Sequence, residues 1–211
     1  MVVNAQALGL HQRRLRVRLR GCMSLLSLLL LVGCGPPAGM AKPGVLTIDF
    51  VPGAAPSGDL VFTKAQLHLD HIMAIGDAPP PMNQPPPMAM LDVDALDGTK
   101  DVSFGMLVPG LYSRVRFSLS QLTATGTWRG KPLTVDLGGF MGTQVDLRSA
   151  VGHELGHGED ATLTVGVVPT GWFDNDVLDS VPDSGGTIVV NDQSPMASGF
   201  LDHISHSFTL Q

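Results

Sequence analysis

Residues 113–120 read Ser-Arg-Val-Arg-Phe-Ser-Leu-Ser. Val115, Phe117 and Leu119 alternate with Arg114, Arg116 and Ser118, a period of two that puts one set on a buried face and the other in water. Two further stretches repeat the pattern. In VLTIDF (45–50), Leu46, Ile48 and Phe50 alternate with Thr47 and Asp49; in ATLTVGV (161–167), Ala161, Leu163, Val165 and Val167 alternate with Thr162, Thr164 and Gly166. Strands are also expected in DLVFTKAQLHLDHI (59–72), KDVSFGML (100–107), KPLTVDL (131–137), GTIVV (186–190) and HISHSFTL (203–210), punctuated by Gly, Pro, Asp and Asn. No stretch offers a sustained apolar stripe at helical spacing. Many short strands with one apolar face each bury those faces most simply against one another, so the fold class expected is all-β, a single antiparallel β-sandwich.

The N-terminus sets the location. Arg13, Arg14, Arg16, Arg18 and Arg20 precede the apolar run MSLLSLLLLVG, which is too short to span a bilayer comfortably, and then Cys34. This order is that of a secretory signal peptide over residues 1–33. The segment Leu31-Val32-Gly33-Cys34 resembles the lipobox of bacterial lipoproteins, which implies acylation of Cys34 and anchoring in a lipid bilayer. Residues 34–43 then form a Gly- and Pro-rich tether. The Arg13-Arg14 pair lacks the following residues that twin-arginine export requires. Gly35 offers no inner-membrane retention Asp, which favours the outer membrane, facing the periplasm or the surface.

Cleavage before Cys34 changes the electrostatics. The leader holds five of the 13 Lys and Arg and none of the 19 Asp and Glu, leaving 8 basic beside 19 acidic side chains, a net charge of −11. Such a chain has no electrostatic footprint for nucleic acid. Cys22 leaves with the leader and Cys34 is committed to lipid. The domain, residues 44–211, therefore has to be held by a packed core alone. Two loops interrupt its strands: a Pro-rich loop over residues 78–90 and an Asp-rich loop over residues 171–186.

The order GVLTIDFV, KAQLHLDHI, LDVDALDG, LVPGLYSRVRFSLS, GKPLTV and ATLTVGV resembles an uncharacterised family of bacterial surface lipoproteins with a prealbumin-like β-sandwich. The likeness covers most of residues 44–168 and is best in VPGLYSRVRFSL, where a Pro-Gly turn launches a strand. It implies fold and location; the family has no established activity. A weaker similarity is to the periplasmic copper-associated partner proteins of methanobactin systems, through a VPxGxY-type turn and a late Trp-Phe, here Trp172 and Phe173. Those proteins carry a four-Cys pattern that this domain lacks.

One segment matches a catalytic signature. His153-Glu154-Leu155-Gly156-His157 has the letters of the zinc-peptidase motif, in which two His one helical turn apart hold the metal and the Glu polarises the attacking water. The motif requires a helix, yet Gly152, Gly156 and Gly158 crowd it, each costing roughly 1 kcal/mol in a helix interior. No third ligand stands at the expected spacing. If the segment is extended, His153, Leu155 and His157 share one face and Glu154 points to the other. His153 and His157 are then candidates for a non-catalytic metal site binding copper, zinc or calcium.

The other paired ligands are His68 with His71 and His203 with His206, and in strand geometry the members of each pair face opposite sides. His206 would fall on the face of Ile204, Phe208 and Leu210. Asp174 and Asp176 in the Asp-rich loop are candidate calcium ligands, although the loop lacks the Gly and terminal Glu of an EF-hand; otherwise it is a solvated acidic turn. Met82, Met88 and Met90 are soft candidate ligands for Cu(I), or contacts that let their loop lie on the body. The expectation is a non-catalytic binding or structural module of the cell envelope, with an envelope protein or glycan as partner. The alternative is a metal-binding periplasmic protein, or a zinc hydrolase built on residues 153–157.

Overall fold

The computed structural model describes residues 44–54, 58–77, 86–138, 143–169, 172–173, 178–194, 197 and 203–211. The signal peptide, Cys34, the tether, Met82, Asp174 and Asp176 lie outside the described residues. Among the described residues eleven strands follow in chain order: β1 (Val45–Pro52), β2 (Leu60–Gly76), β3 (Ala89–Asp94), β4 (Lys100–Gly105), β5 (Gly110–Trp128), β6 (Lys131–Leu137), β7 (Thr143–Leu155), β8 (Asp160–Val167), β9 (Asp183–Ser184), β10 (Thr187–Asn191) and β11 (Phe208–Leu210). They form two packed sheets, which makes the fold an all-β sandwich. The smaller runs β11-β8-β1-β4; the larger runs β3-β2-β5-β6-β10-β9, with β7 also paired to β5.

The alternation read in residues 113–120 is realised directly. Val115, Phe117 and Leu119 have no solvent exposure, and Leu46, Ile48 and Phe50 of β1 oppose them from the other sheet. The Phe117 ring meets Phe50 edge-on at 5.8 Å and Phe208 at 5.0 Å, so one residue of the large sheet touches two strands of the small one. Each such fully buried side chain contributes roughly 1.5–3 kcal/mol of hydrophobic stabilisation. At one end of the core Phe62 packs on Trp172 and Phe173, at 5.7 and 6.3 Å.

The strand pairing differs from the expected antiparallel arrangement in two places. β1 runs parallel to β8, with Ile48 opposite Leu163, and β10 runs parallel to β6, with Ile188 opposite Leu133. Both sheets are therefore mixed. Strands far apart in sequence carry fully apolar inner faces, and burying those faces outweighs the slightly weaker parallel ladder.

β5 is the spine of the large sheet. One edge pairs throughout with β2; the other pairs with β6 along Leu122–Trp128 and with β7 along Gly110–Leu119. The turn into β6 has only Arg129 and Gly130 between the paired Trp128 and Lys131, and both have positive φ, 48° and 77°. That is the twist a two-residue hairpin demands, which Gly130 adopts without strain. Arg129 is held there by its N–H, which donates to the Asp59 carbonyl, and by ion pairs to Asp59 and Asp179.

Three sequence expectations need correction. Ala89 and Met90, assigned to the Pro-rich loop, begin β3, whose Val93 reaches the core. His203 to Ser207 is helical, ending in a 3-10 turn at Ser205–Ser207, so the last strand is only Phe208–Leu210 and His206 is exposed instead of sharing their face. The Asp-rich loop contains β9, and two of its carboxylates are structural ties. Asp179 accepts from Trp128 Nε1 and Arg129, while Asp183 pairs with Lys131 at 2.8 Å and accepts from the Gly186 N–H.

Candidate functional site

β2 contains the residue on which the site turns. His68 lies on its outer face, between the buried Leu67 and Leu69, opposite Asp92 of β3. Its Nδ1 meets Asp92 Oδ1 at 2.5 Å and its Nε2 faces Asp70 Oδ1 at 3.4 Å. The hydrogen bond to Asp92 raises the imidazole pKa above its ordinary value; burial opposes this, and the charge of Asp70 adds to it. His68 is thus an imidazole clasped between a neighbouring strand and a residue two positions along its own.

Three residues later the strand bulges. Leu69 pairs with Leu91 and Ile72 with Ala89, one residue more on β2 than on β3, and the same extra residue appears against β5. His71 occupies this bulge with φ 54° and is exposed, while Leu69 and Ile72 both have no exposure. The simple alternation that set His68 and His71 on opposite faces therefore fails: the bulge turns His71 outward as well. Among the described residues none joins the two rings as a common third ligand.

The His68 clasp opens onto a cleft of about 550 Å³ on the outer face of β3, β2 and β5. Its floor is made by outward residues of three strands, Gln66 and His68, Asp92 and Asp94, Gln121 and Thr123. The connection from β3 to β4, Asp97 to Lys100, forms one wall. That connection is held in shape by Asp94, whose Oδ1 accepts from the Leu96 N–H at 2.9 Å, and by the Ala95 N–H, which donates to the Ala65 carbonyl. Carboxylates, amides, the hydroxyls of Thr99 and Thr123 and the Lys100 ammonium line the cleft, offering both donors and acceptors to a hydrophilic ligand.

The His153–His157 segment falls elsewhere and in a different conformation. β7 carries a wide bulge: Tyr112 pairs with His153 but Arg114 with Arg148, so Ser149 to Gly152 stand against Ser113 alone. The Ser149 hydroxyl accepts from the N–H groups of Val151 and Gly152 at 3.3 and 3.4 Å. After the bulge His153, Glu154 and Leu155 complete the strand, with Leu155 in the core and Glu154 exposed. His157 follows in an exposed turn. The shared face therefore reaches from His153 to Leu155 and not to His157, and the helix that places two imidazoles one turn apart is absent here.

His203, partly exposed, lends its carbonyl to the Ser207 hydroxyl at 3.3 Å. Met88 and Met90 are exposed ahead of and within β3. Among the described residues no group of three or more His, Cys, Asp or Glu is disposed to hold a metal ion. Sequence reasoning named His68 but missed its partners Asp70 and Asp92. The alternation in Leu91-Asp92-Val93-Asp94 was the available signal, obscured by the Pro-rich stretch before it.

On the opposite end of the same outer face, Asp146 of β7 binds both Arg114 and Arg116 of β5. Arg114 is bidentate, Nη2 to Oδ2 at 2.5 Å and Nε to Oδ1 at 3.2 Å; Arg116 Nη2 reaches Oδ2 at 2.7 Å. The Arg114 hydrogen bonds hold the Asp146 carboxyl below its ordinary range, with Arg116 adding to the effect. No family model, curated protein or solved structure matches the chain.

Proposed function

We propose that the chain is a lipid-anchored protein of the bacterial envelope whose β-sandwich is a non-catalytic binding module, with the cleft at His68 as its ligand site. The observation that carries the reading is the cleft itself: an open, polar recess of about 550 Å³ on a rigid sheet, lined by Gln66, Asp92, Asp94, Gln121 and Thr123. Planar amides and carboxylates on strands suit a hydroxyl-rich ligand, so an envelope glycan is the class of partner favoured. The extended course of residues 153–155 supports a non-catalytic reading, because the zinc-peptidase geometry depends on a helix. The anchor rests on the basic segment, the apolar run and Cys34 in the sequence, and the residue order shared with the surface-lipoprotein family accords with it.

Two measurements test the proposal. Soluble envelope oligosaccharides titrated into the protein should shift the amide resonances of Gln66, Gln121 and Thr123, and Gln121→Ala should abolish the effect; unmoved resonances at millimolar ligand would defeat the assignment of the cleft. Metabolic labelling with palmitate should mark the wild type and not Cys34→Ala, and equal labelling of both would remove the anchor. Stoichiometric zinc or copper lost on both His153→Ala and His157→Ala would favour the metal-binding alternative instead.

A further inference from the structure

The outer face of β5 and β7 concentrates positive charge on an acidic chain. Arg114 lies directly opposite Arg148, and Arg116 directly opposite Asp146. All four side chains leave the same face, since Val115, Leu147 and Val145 between them point into the core. Three guanidiniums and one carboxylate leave these four side chains a charge of +2, and only Arg114 and Arg116 bind the carboxylate. Like charges directly across an antiparallel pair repel, and their Cβ atoms stand about 4.5–5.5 Å apart. Asp146 relieves only part of this: its two oxygens are taken by Arg114 and Arg116, and Arg148 is exposed with no ion pair among the described residues. Both Arg114 and Arg116 keep about 30% of their side-chain surface in water, 28% and 31%.

We infer that Arg114, Arg116 and Arg148 form a binding site for a phosphate group, seated between Arg148 and the outer edge of the Arg114–Asp146–Arg116 cluster. The planar fork of each guanidinium matches two oxygens of a tetrahedral oxyanion. Asp146 holds two of the three forks in place before the ligand arrives, so less side-chain freedom is lost on binding. An oxyanion between Arg148 and Arg114 would also replace their repulsion by two attractions. The site is independent of the cleft at His68, and the phosphate belongs either to a soluble ester or to an anionic lipid headgroup.

The test uses the full-length chain in dodecylmaltoside micelles, following the arginine Nε–H resonances. Inorganic phosphate should shift those of Arg114, Arg116 and Arg148 saturably, while chloride at equal ionic strength should not. Arg148→Gln and Arg114→Gln should each weaken the response about tenfold, the loss of one strong charge-assisted contact. Lys64→Gln, the same charge change opposite Thr125 at the far end of β5, should leave it within about twofold. A response to micelles doped with phosphatidylglycerol but not to inorganic phosphate assigns the headgroup as the source; a response to both assigns the phosphate group itself. No response to either, or equal loss on Lys64→Gln, overturns the site.

Discussion

His68 draws its proton affinity from a hydrogen bond to Asp92 and the nearby charge of Asp70, so its pKa in the folded protein stands above the ordinary 6.5. The stability from this clasp is fully present below about pH 6.5 and is lost as pH rises through the folded value. Because the imidazole is 40% exposed, water and salt screen the contribution. A proton NMR titration should give a midpoint above 6.5 that returns toward it in Asp92→Asn; an unchanged midpoint would mean that Asp92 is not the cause. Tyr112 has a different task. Its hydroxyl donates to the Val108 carbonyl at 2.7 Å, pinning the Val108-Pro109-Gly110 turn beneath the strand it launches. Tyr112→Phe should cost about 1 kcal/mol by chemical denaturation. At Gly126 the constraint is space: a Cβ would collide with the Val61 carbonyl oxygen on β2. Gly126→Ala should destabilise by about 3 kcal/mol, the upper end for overpacking, because a backbone atom cannot step aside as a side chain can.

Among the elements, legibility followed the purity of the alternation. β1, β8 and residues 113–120 of β5 carry apolar residues at every second position with polar ones between, and their faces could be assigned by reading alone. β7 could not. Its inner residues Val145 and Leu147 are separated from Leu155 by the Ser149–Gly152 bulge, which breaks the period and draws attention to the His and Glu letters behind it. β3 was hidden by the prolines before it, and with β3 went Asp92 and half of the candidate site. The outward turn of His71 was equally invisible, since a bulge is a property of two paired strands and not of one. Shortening the bulge tests its role: deletion of Ala150 and Val151, both exposed, should leave the core intact but shift the amide resonances of Ser113 and His153. Unchanged spectra there would show that the bulge does not set the course of the segment.

For the whole molecule the decisive contact is the one between sheets. Phe117 touches both β1 and β11 through Phe50 and Phe208, so Phe117→Ala removes packing from three strands at once and should cost about 3–5 kcal/mol, enough to unfold a marginal domain. A thermal melt unchanged by this substitution would contradict the packing described. The excess of acidic over basic side chains favours the same conclusion from the outside: self-repulsion opposes the compact state, and moderate salt should raise the melting temperature of the native chain. Acid acts locally on the Arg114–Asp146–Arg116 cluster, whose stabilisation is present above the ordinary carboxylate pKa of 3.8 and disappears as pH falls through the lower folded value.

The parallel pairing of β1 with β8 also sets a timetable. Val45 waits for Asp160 and Pro52 for Val167, and β8 in turn is completed by Phe208 to Leu210. The large sheet can begin from neighbours, β2 with β3 and β5 with β6, while the small one closes only when the last strand has emerged. Until then β1 is paired along one edge only, by β4. The step that completes the small sheet therefore needs Phe208 to Leu210 and Val45 to Pro52 present together.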